Sequence, residues 1–113
     1  MIRFAARPLA LLALLLLGAG AAQAASPETL RRGAAIARAN CSTCHAIGRT
    51  GASPNPKSPP FRELSRRYPL SNLEEALGEG IVVGHEGVEM PQFRLDTAQV
   101  EALLAYLGSI QKR

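Results

Sequence analysis

Residues 40–46 read NCSTCHA, Asn40 to Ala46, and hold Cys41 and Cys44, the only two cysteines in a chain of 113 residues. His45 follows the second cysteine directly. Two thiols three positions apart with an adjoining imidazole form a compact set of soft and nitrogen donors, and the chemistry such a set serves decides what the rest of the chain must build.

Compartment narrows the choice. The first two dozen residues do not read as part of a fold. Arg3 and Arg7 make a positive start, Leu9 to Leu17 contains only Leu and Ala, and small residues follow up to Ala22-Gln23-Ala24. This is the layout of a secretory signal peptide. The rival is an uncleaved anchor, but the apolar stretch from Leu9 to Ala22 is shorter than the roughly 20 residues a membrane span needs. The expected organisation is therefore a signal peptide over residues 1–24, cut after about Ala24, and one small domain over residues 25–113. The charged region has no Arg-Arg pair, which favours export of the unfolded chain. The expected location is the periplasm.

The domain is small and has no Trp. Cores of this size are marginal and usually need a staple. A disulfide across C-x-x-C would close only a tiny loop and constrain the unfolded chain little. A structural zinc site needs four ligands. Cys41, Cys44, His45 and His85 reach that count, but Cys44 and His45 point in different directions on one turn and no second metal-type pair exists. A thioredoxin-like redox pair calls for a βαβ pattern, which is absent. Covalent haem attachment is the reading that fits, since C-x-x-C-H is its signature. On a helical turn, positions three apart share a face, so both sulfurs can reach the vinyl groups along one side of a porphyrin. The next residue is rotated by roughly 100° and can turn its imidazole to the iron. One haem c, held by two thioether bonds at Cys41 and Cys44 and ligated by His45, is the expected cofactor.

The sixth iron position needs a second ligand. Met90 is the only methionine left once Met1 departs with the leader, and a His/Met pair raises the potential of electron-carrying haem. Met90 lies in GHEGVEMPQF, a stretch too punctuated by Gly and Pro for a packed helix face, far enough beyond His45 for the chain to return on the other side of a porphyrin. The competing ligand is His85, the only other histidine; an open sixth position is the third possibility, and core filling is the ordinary role of a lone Met.

The remaining pattern is helical. Ser26-Pro27-Glu28 reads as a helix start, followed by Leu30, Gly33, Ala34, Ile36 and Ala37, with small residues suited to a close helix crossing. Gly48 to Pro60, with Pro54, Pro56, Pro59 and Pro60, reads as loop. Ser71-Asn72-Leu73-Glu74 predicts a capping box opening a helix to about Glu79, and Asp96-Thr97-Ala98-Gln99 predicts another for the last helix. There Val100, Leu103, Leu104, Leu107 and Ile110 form an amphipathic stripe expected to pack in the core. No strand alternation of useful length is present, and Ile81-Val82-Val83 is too short and Gly-flanked. The expected class is all-α, three to four helices wrapped around one covalently bound haem.

These residues together resemble a family, the small soluble bacterial class I cytochromes c. The resemblance covers nearly all of Ser26 to Gln111 and rests on Gly33, CSTCH at Cys41 to His45, the Met90-Pro91 pair, and LLAYL at Leu103 to Leu107. It implies the cytochrome c fold, in which the first and last helices cross at a small glycine near an aromatic; Gly33 and Tyr106 match those places. The family's aromatic four residues before the first motif cysteine is Ala37 here, which implies a thinner contact. The family also implies a proline carbonyl that accepts the His Nδ1–H, orienting the ring and setting its basicity; Pro59 is the first candidate and Pro60 the second. Its propionate-binding tryptophan is absent, leaving Arg62 and Tyr68 as candidates for that role, against a solvated arginine and a packed tyrosine.

The function so implied is one-electron transfer without catalysis, by a monomeric carrier serving redox protein partners such as an oxidase, a dehydrogenase or a cytochrome bc1-type complex. The alternatives are a fixed haem subunit of a periplasmic dehydrogenase complex and a bis-His or open-site haem sensor. No Ser/His/Asp set or Gly-rich phosphate loop points to an enzyme. The formal charge is +4, and it falls when Arg3 and Arg7 leave and haem propionates are added. Nucleic acid is not implied, since the basic residues are neither dense nor interleaved with aromatics, and contact with a membrane is expected only transiently or through a partner. Charge is uneven: Arg49, Lys57, Arg62, Arg66 and Arg67 share their stretch with one acid, Glu63, whereas Glu74, Glu75, Glu79, Glu86 and Glu89 share theirs with no Lys or Arg. That asymmetry predicts electrostatically steered docking.

Overall fold

The structure is a computed structural model that describes residues 24–80, 84–85, 88–91 and 94–113. The signal peptide expected over residues 1–24 lies outside the described residues apart from Ala24, as does the Ile81–Val83 run. Among the described residues no helix is long and apolar enough to cross a membrane.

The chain forms helix α1 (Pro27–Asn40), a 3-10 helix (Phe61–Arg66), helix α2 (Asn72–Glu79), a two-stranded hairpin of β1 (Gly84–His85) and β2 (Val88–Glu89), and helix α3 (Thr97–Ile110). The class is all-α, as expected. The 3-10 helix and the hairpin carry no sequence signal strong enough to predict them. Each strand is two residues long, pairing Gly84 with Glu89 and His85 with Val88, below the length at which period-2 alternation can be read.

Local chemistry sets the helix ends. Ser26 Oγ accepts from Thr29 N at 3.1 Å, with Pro27 opening the first turn of α1. The capping box of α3 is complete: Asp96 Oδ1 accepts from Gln99 N at 2.8 Å, and Gln99 Oε1 accepts from Asp96 N at 3.0 Å. The box expected at Ser71 does not form. Ser71 is already αR and its side chain makes no capping bond. The N–H groups of Asn72, Leu73 and Glu74 donate instead to the carbonyls of Pro69, Leu70 and Ser71, so a backbone turn satisfies the donors a cap would have taken. Helix α2 ends at Gly80, whose φ of 100° lies in the region glycine adopts without strain.

Helices α1 and α3 cross at Gly33. A Cβ there would run into the Ala102 carbonyl and lie 2.5 Å from Tyr106 Cβ, so the crossing requires glycine, and Tyr106 is the aromatic beside it. The contact at Ala37 is small but complete, since Ala37 is fully buried. Val100, Leu103, Leu107 and Ile110 of the α3 stripe join Phe61, Leu64, Leu77 and Leu95 in the core, while Leu104 is only partly buried. Ala102 is buried as well, outside the stripe, because α3 turns a second face toward Gly33.

Candidate functional site

The last turn of α1 delivers the cysteine motif. Three of its carbonyls are taken at once: Asn40 Nδ2 donates to Ile36 O at 2.9 Å, Cys41 N to Ala37 O at 2.9 Å, and Ser42 Oγ to Arg38 O at 2.6 Å. The α-helix ends at Asn40, and Cys41 to Cys44 continue as a turn rather than as the helix expected. Cys44 N and His45 N both donate to Cys41 O, at 3.2 and 2.9 Å. This turn brings the backbone of His45 onto that of Cys41, but of the two cysteines expected to share a face only Cys41 lines the cavity.

Two hydrogen bonds shape the loop after the motif. Asn55 N donates to Cys44 O at 3.1 Å, and Ala46 N to Ser53 Oγ at 3.0 Å. The loop folds back over the motif and carries Pro59 to His45, whose Nδ1 lies 2.7 Å from Pro59 O. Pro59, not Pro60, is thus the carbonyl partner. A carbonyl can only accept, so His45 donates from Nδ1 and the neutral ring carries its lone pair on Nε2, the nitrogen suited to a metal. The Phe61 ring packs on the imidazole with centroids 4.8 Å apart. Phe61 N in turn donates to Ala46 O at 2.9 Å.

His45, Pro59 and Phe61 line a cavity of about 390 Å³. Its wall includes Cys41, His45 and Met90, and is otherwise mostly apolar, with Phe61, Leu64, Leu77, Leu103 and Leu107 among its members. Cys44 is half-buried and lies outside that lining. The two thiols are not joined by a disulfide. Burial pushes the Cys41 thiol up to about 11, the result expected for a sulfur facing hydrocarbon. His85 lies in β1, across from Val88; it is Met90 that reaches the cavity. Among the described residues no three His, Cys, Asp or Glu side chains converge as a bare metal site would need.

The donor set tests the haem expectation. A thiol, an imidazole with its tautomer fixed, and a thioether open onto one slot whose other walls are hydrocarbon, and this combination suits a large apolar macrocycle with an iron at its centre. Of the two residues expected at the polar end, one lines the cavity. Tyr68 lines the cavity, with Arg67 and Asn72 beside it, whereas Arg62 does not. Arg62 instead keeps one buried guanidinium nitrogen, Nη1, with no hydrogen-bond partner, and its carbonyl accepts from Lys112 N. Burial raises the Tyr68 phenol above its ordinary value, and the nearby Arg67 charge only partly offsets this, so Tyr68 remains a hydrogen-bond donor at neutral pH. Residue type alone could not separate Arg67 from Arg62; their phase around the 3-10 helix and its exit decides.

Comparison with protein families finds a match to the family described as Cytochrome c, over residues 30–111. Comparison with curated proteins and with solved structures finds no match.

Proposed function

The chain belongs to the cytochrome c family, whose members carry haem c and generally transfer electrons rather than catalyse, and on that premise we propose that it is a one-electron carrier of the bacterial periplasm. In this reading Cys41 and Cys44 would hold one haem c through thioether bonds, and His45 and Met90 would supply the ligands to its iron. The observation that carries the reading is the 2.7 Å bond from His45 Nδ1 to Pro59 O beside a cavity that Met90 also lines. It sets the tautomer a ligating imidazole needs.

When bound, the haem supplies an iron that alternates between ferric and ferrous states. The residues of this chain give that chemistry its setting. Pro59 orients the imidazole and raises its basicity. Phe61, Leu64, Leu77, Leu103 and Leu107 keep water away and lower the local dielectric. The thioether of Met90 favours the reduced state relative to a second imidazole. Arg67, Tyr68 and Asn72 on the cavity wall offer donors to the carboxylates of the macrocycle, and the buried, unpartnered Nη1 of Arg62 offers another.

Support for a periplasmic location is the leader pattern of residues 1–24. Redox proteins are the partners proposed: an oxidase, a dehydrogenase or a cytochrome bc1-type complex, met by a monomer through its uneven charge. The basic side chains Arg49, Lys57, Arg66 and Arg67 are exposed, and so are Glu74, Glu75 and Glu79 on α2.

The test is expression of the full chain with haem-maturation machinery, followed by absorption spectra of the oxidised and reduced protein and extraction with acidic acetone. The expected product is exported and coloured, keeps its pigment on the polypeptide after extraction, and elutes as a monomer in gel filtration. A folded, colourless product would overturn the reading.

A further inference from the structure

Helix α3 ends at Ile110, and the next residue, Gln111, uses its whole side-chain amide. Its Nε2 donates to Phe61 O at 2.7 Å and to Leu107 O at 2.8 Å, and its Oε1 accepts from Ser65 N at 2.8 Å. Lys112 N adds a bond to Arg62 O at 2.8 Å. These contacts rivet the strap from Pro59 to Ser65 onto the end of α3. The same strap supplies two partners of the His45 ring: the Pro59 carbonyl at Nδ1 and the Phe61 ring packed against it.

We infer that Gln111 is a positioning residue for the His45 imidazole, acting through Phe61 and the strap to hold Pro59 O on Nδ1. The inference rests on the reading of His45 as an iron ligand. The chemistry of the amide is specific. Glutamate would keep the acceptor for Ser65 N but lose both donors, asparagine is shorter by one methylene, and alanine supplies nothing. A looser Pro59 contact makes the imidazole a weaker donor and stabilises ferric iron less, so the reduction potential rises when the rivet is removed.

The test compares the haem-loaded wild type with Gln111→Ala, Gln111→Glu and Arg49→Ala, by midpoint potential and by NMR of the hyperfine-shifted His45 ring protons in the ferric state. Arg49→Ala is the control, since Arg49 Nη2 ties a different loop to α3 through Ser109 O at 2.8 Å. The expected result for Gln111→Ala is a raised potential and exchange of the His45 Nδ1–H with solvent faster by about fivefold, the factor one lost hydrogen bond supports. Gln111→Glu speeds the Nδ1–H exchange in the same direction, its added charge acting on the potential separately, and Arg49→Ala leaves that exchange unchanged.

Equal responses to Gln111→Ala and Arg49→Ala, or no response to Gln111→Ala, would overturn the inference. Should Gln111→Ala fail to fold, wild-type Nδ1–H exchange in Gln111→Glu would do the same. A wild-type protein with pigment but no shifted His45 signals would overturn the ligand assignment, and the inference with it.

Discussion

The imidazole of His45 and the carbonyl of Pro59, fourteen positions apart, meet at 2.7 Å through Nδ1. The contact joins the end of α1 to the far side of a proline-rich loop. It settles the tautomer of the ring on the wall of a largely apolar cavity that Met90 also lines.

Replacing Met90 with Ala should abolish the iron–sulfur absorption band of the oxidised protein and lower the midpoint potential, because thioether ligation raises it. An unchanged spectrum would transfer the ligand role to His85 or leave the position open.

Gly33→Ala separates close packing from helix propensity. Propensity alone would stabilise α1 by about 1 kcal/mol. The added Cβ meets the Ala102 carbonyl and Tyr106 Cβ, and overpacking of this kind costs about 1–3 kcal/mol. Denaturant unfolding of the haem-loaded protein should therefore show net destabilisation; a gain in stability would refute the crossing.

The two helix starts should respond differently to loss of their capping side chains. Asp96→Ala should lower stability by about 1 kcal/mol, the usual worth of a cap. Ser71→Ala should fall within about 0.5 kcal/mol of wild type, since Ser71 makes no capping bond. Paired unfolding midpoints check this, and equal losses would contradict it.

Arg67→Gln should lower the midpoint potential more than Arg62→Gln. Arg67 lines the cavity, where its charge disfavours ferric iron and offsets the carboxylates of the macrocycle. Because Arg67 is exposed, solvent screens the effect, and a pair of this kind is worth about 1 kcal/mol or less. The reverse order would return the role to Arg62.

Tyr68 gives an alkaline signature. Burial, the main cause, raises its phenol above the ordinary value of 10.0, with Arg67 partly opposing. A folded-state value above the unfolded one contributes stability that is present in full below the unfolded value and lost as pH rises through the folded one. Spectrophotometric titration should thus show one of the two tyrosines ionising late, and Tyr68→Phe should remove that late component and flatten the stability loss above pH 10. A late component that survives in Tyr68→Phe would assign it elsewhere.

What could be read from the sequence was what short-range chemistry dictates. The spacing of Cys41, Cys44 and His45 is local, and so are the Ser26 and Asp96 caps and the α3 stripe, each settled within one or two turns. Gly33 was legible as a small residue, and its need is visible only where α3 lies on it. Ser71 shows the limit of local pattern, because the chain entering α2 already turns and satisfies the donors its motif would have served. Pro59 was already the first candidate through the family resemblance, and the structure places its carbonyl on His45; tertiary structure alone turned Arg67 rather than Arg62 to the cavity and brought Gln111 back onto the strap. Those choices depend on the phase at which a loop or a 3-10 turn arrives after many residues. Small differences in backbone rotation accumulate along the way, and only packing against α3 fixes the result.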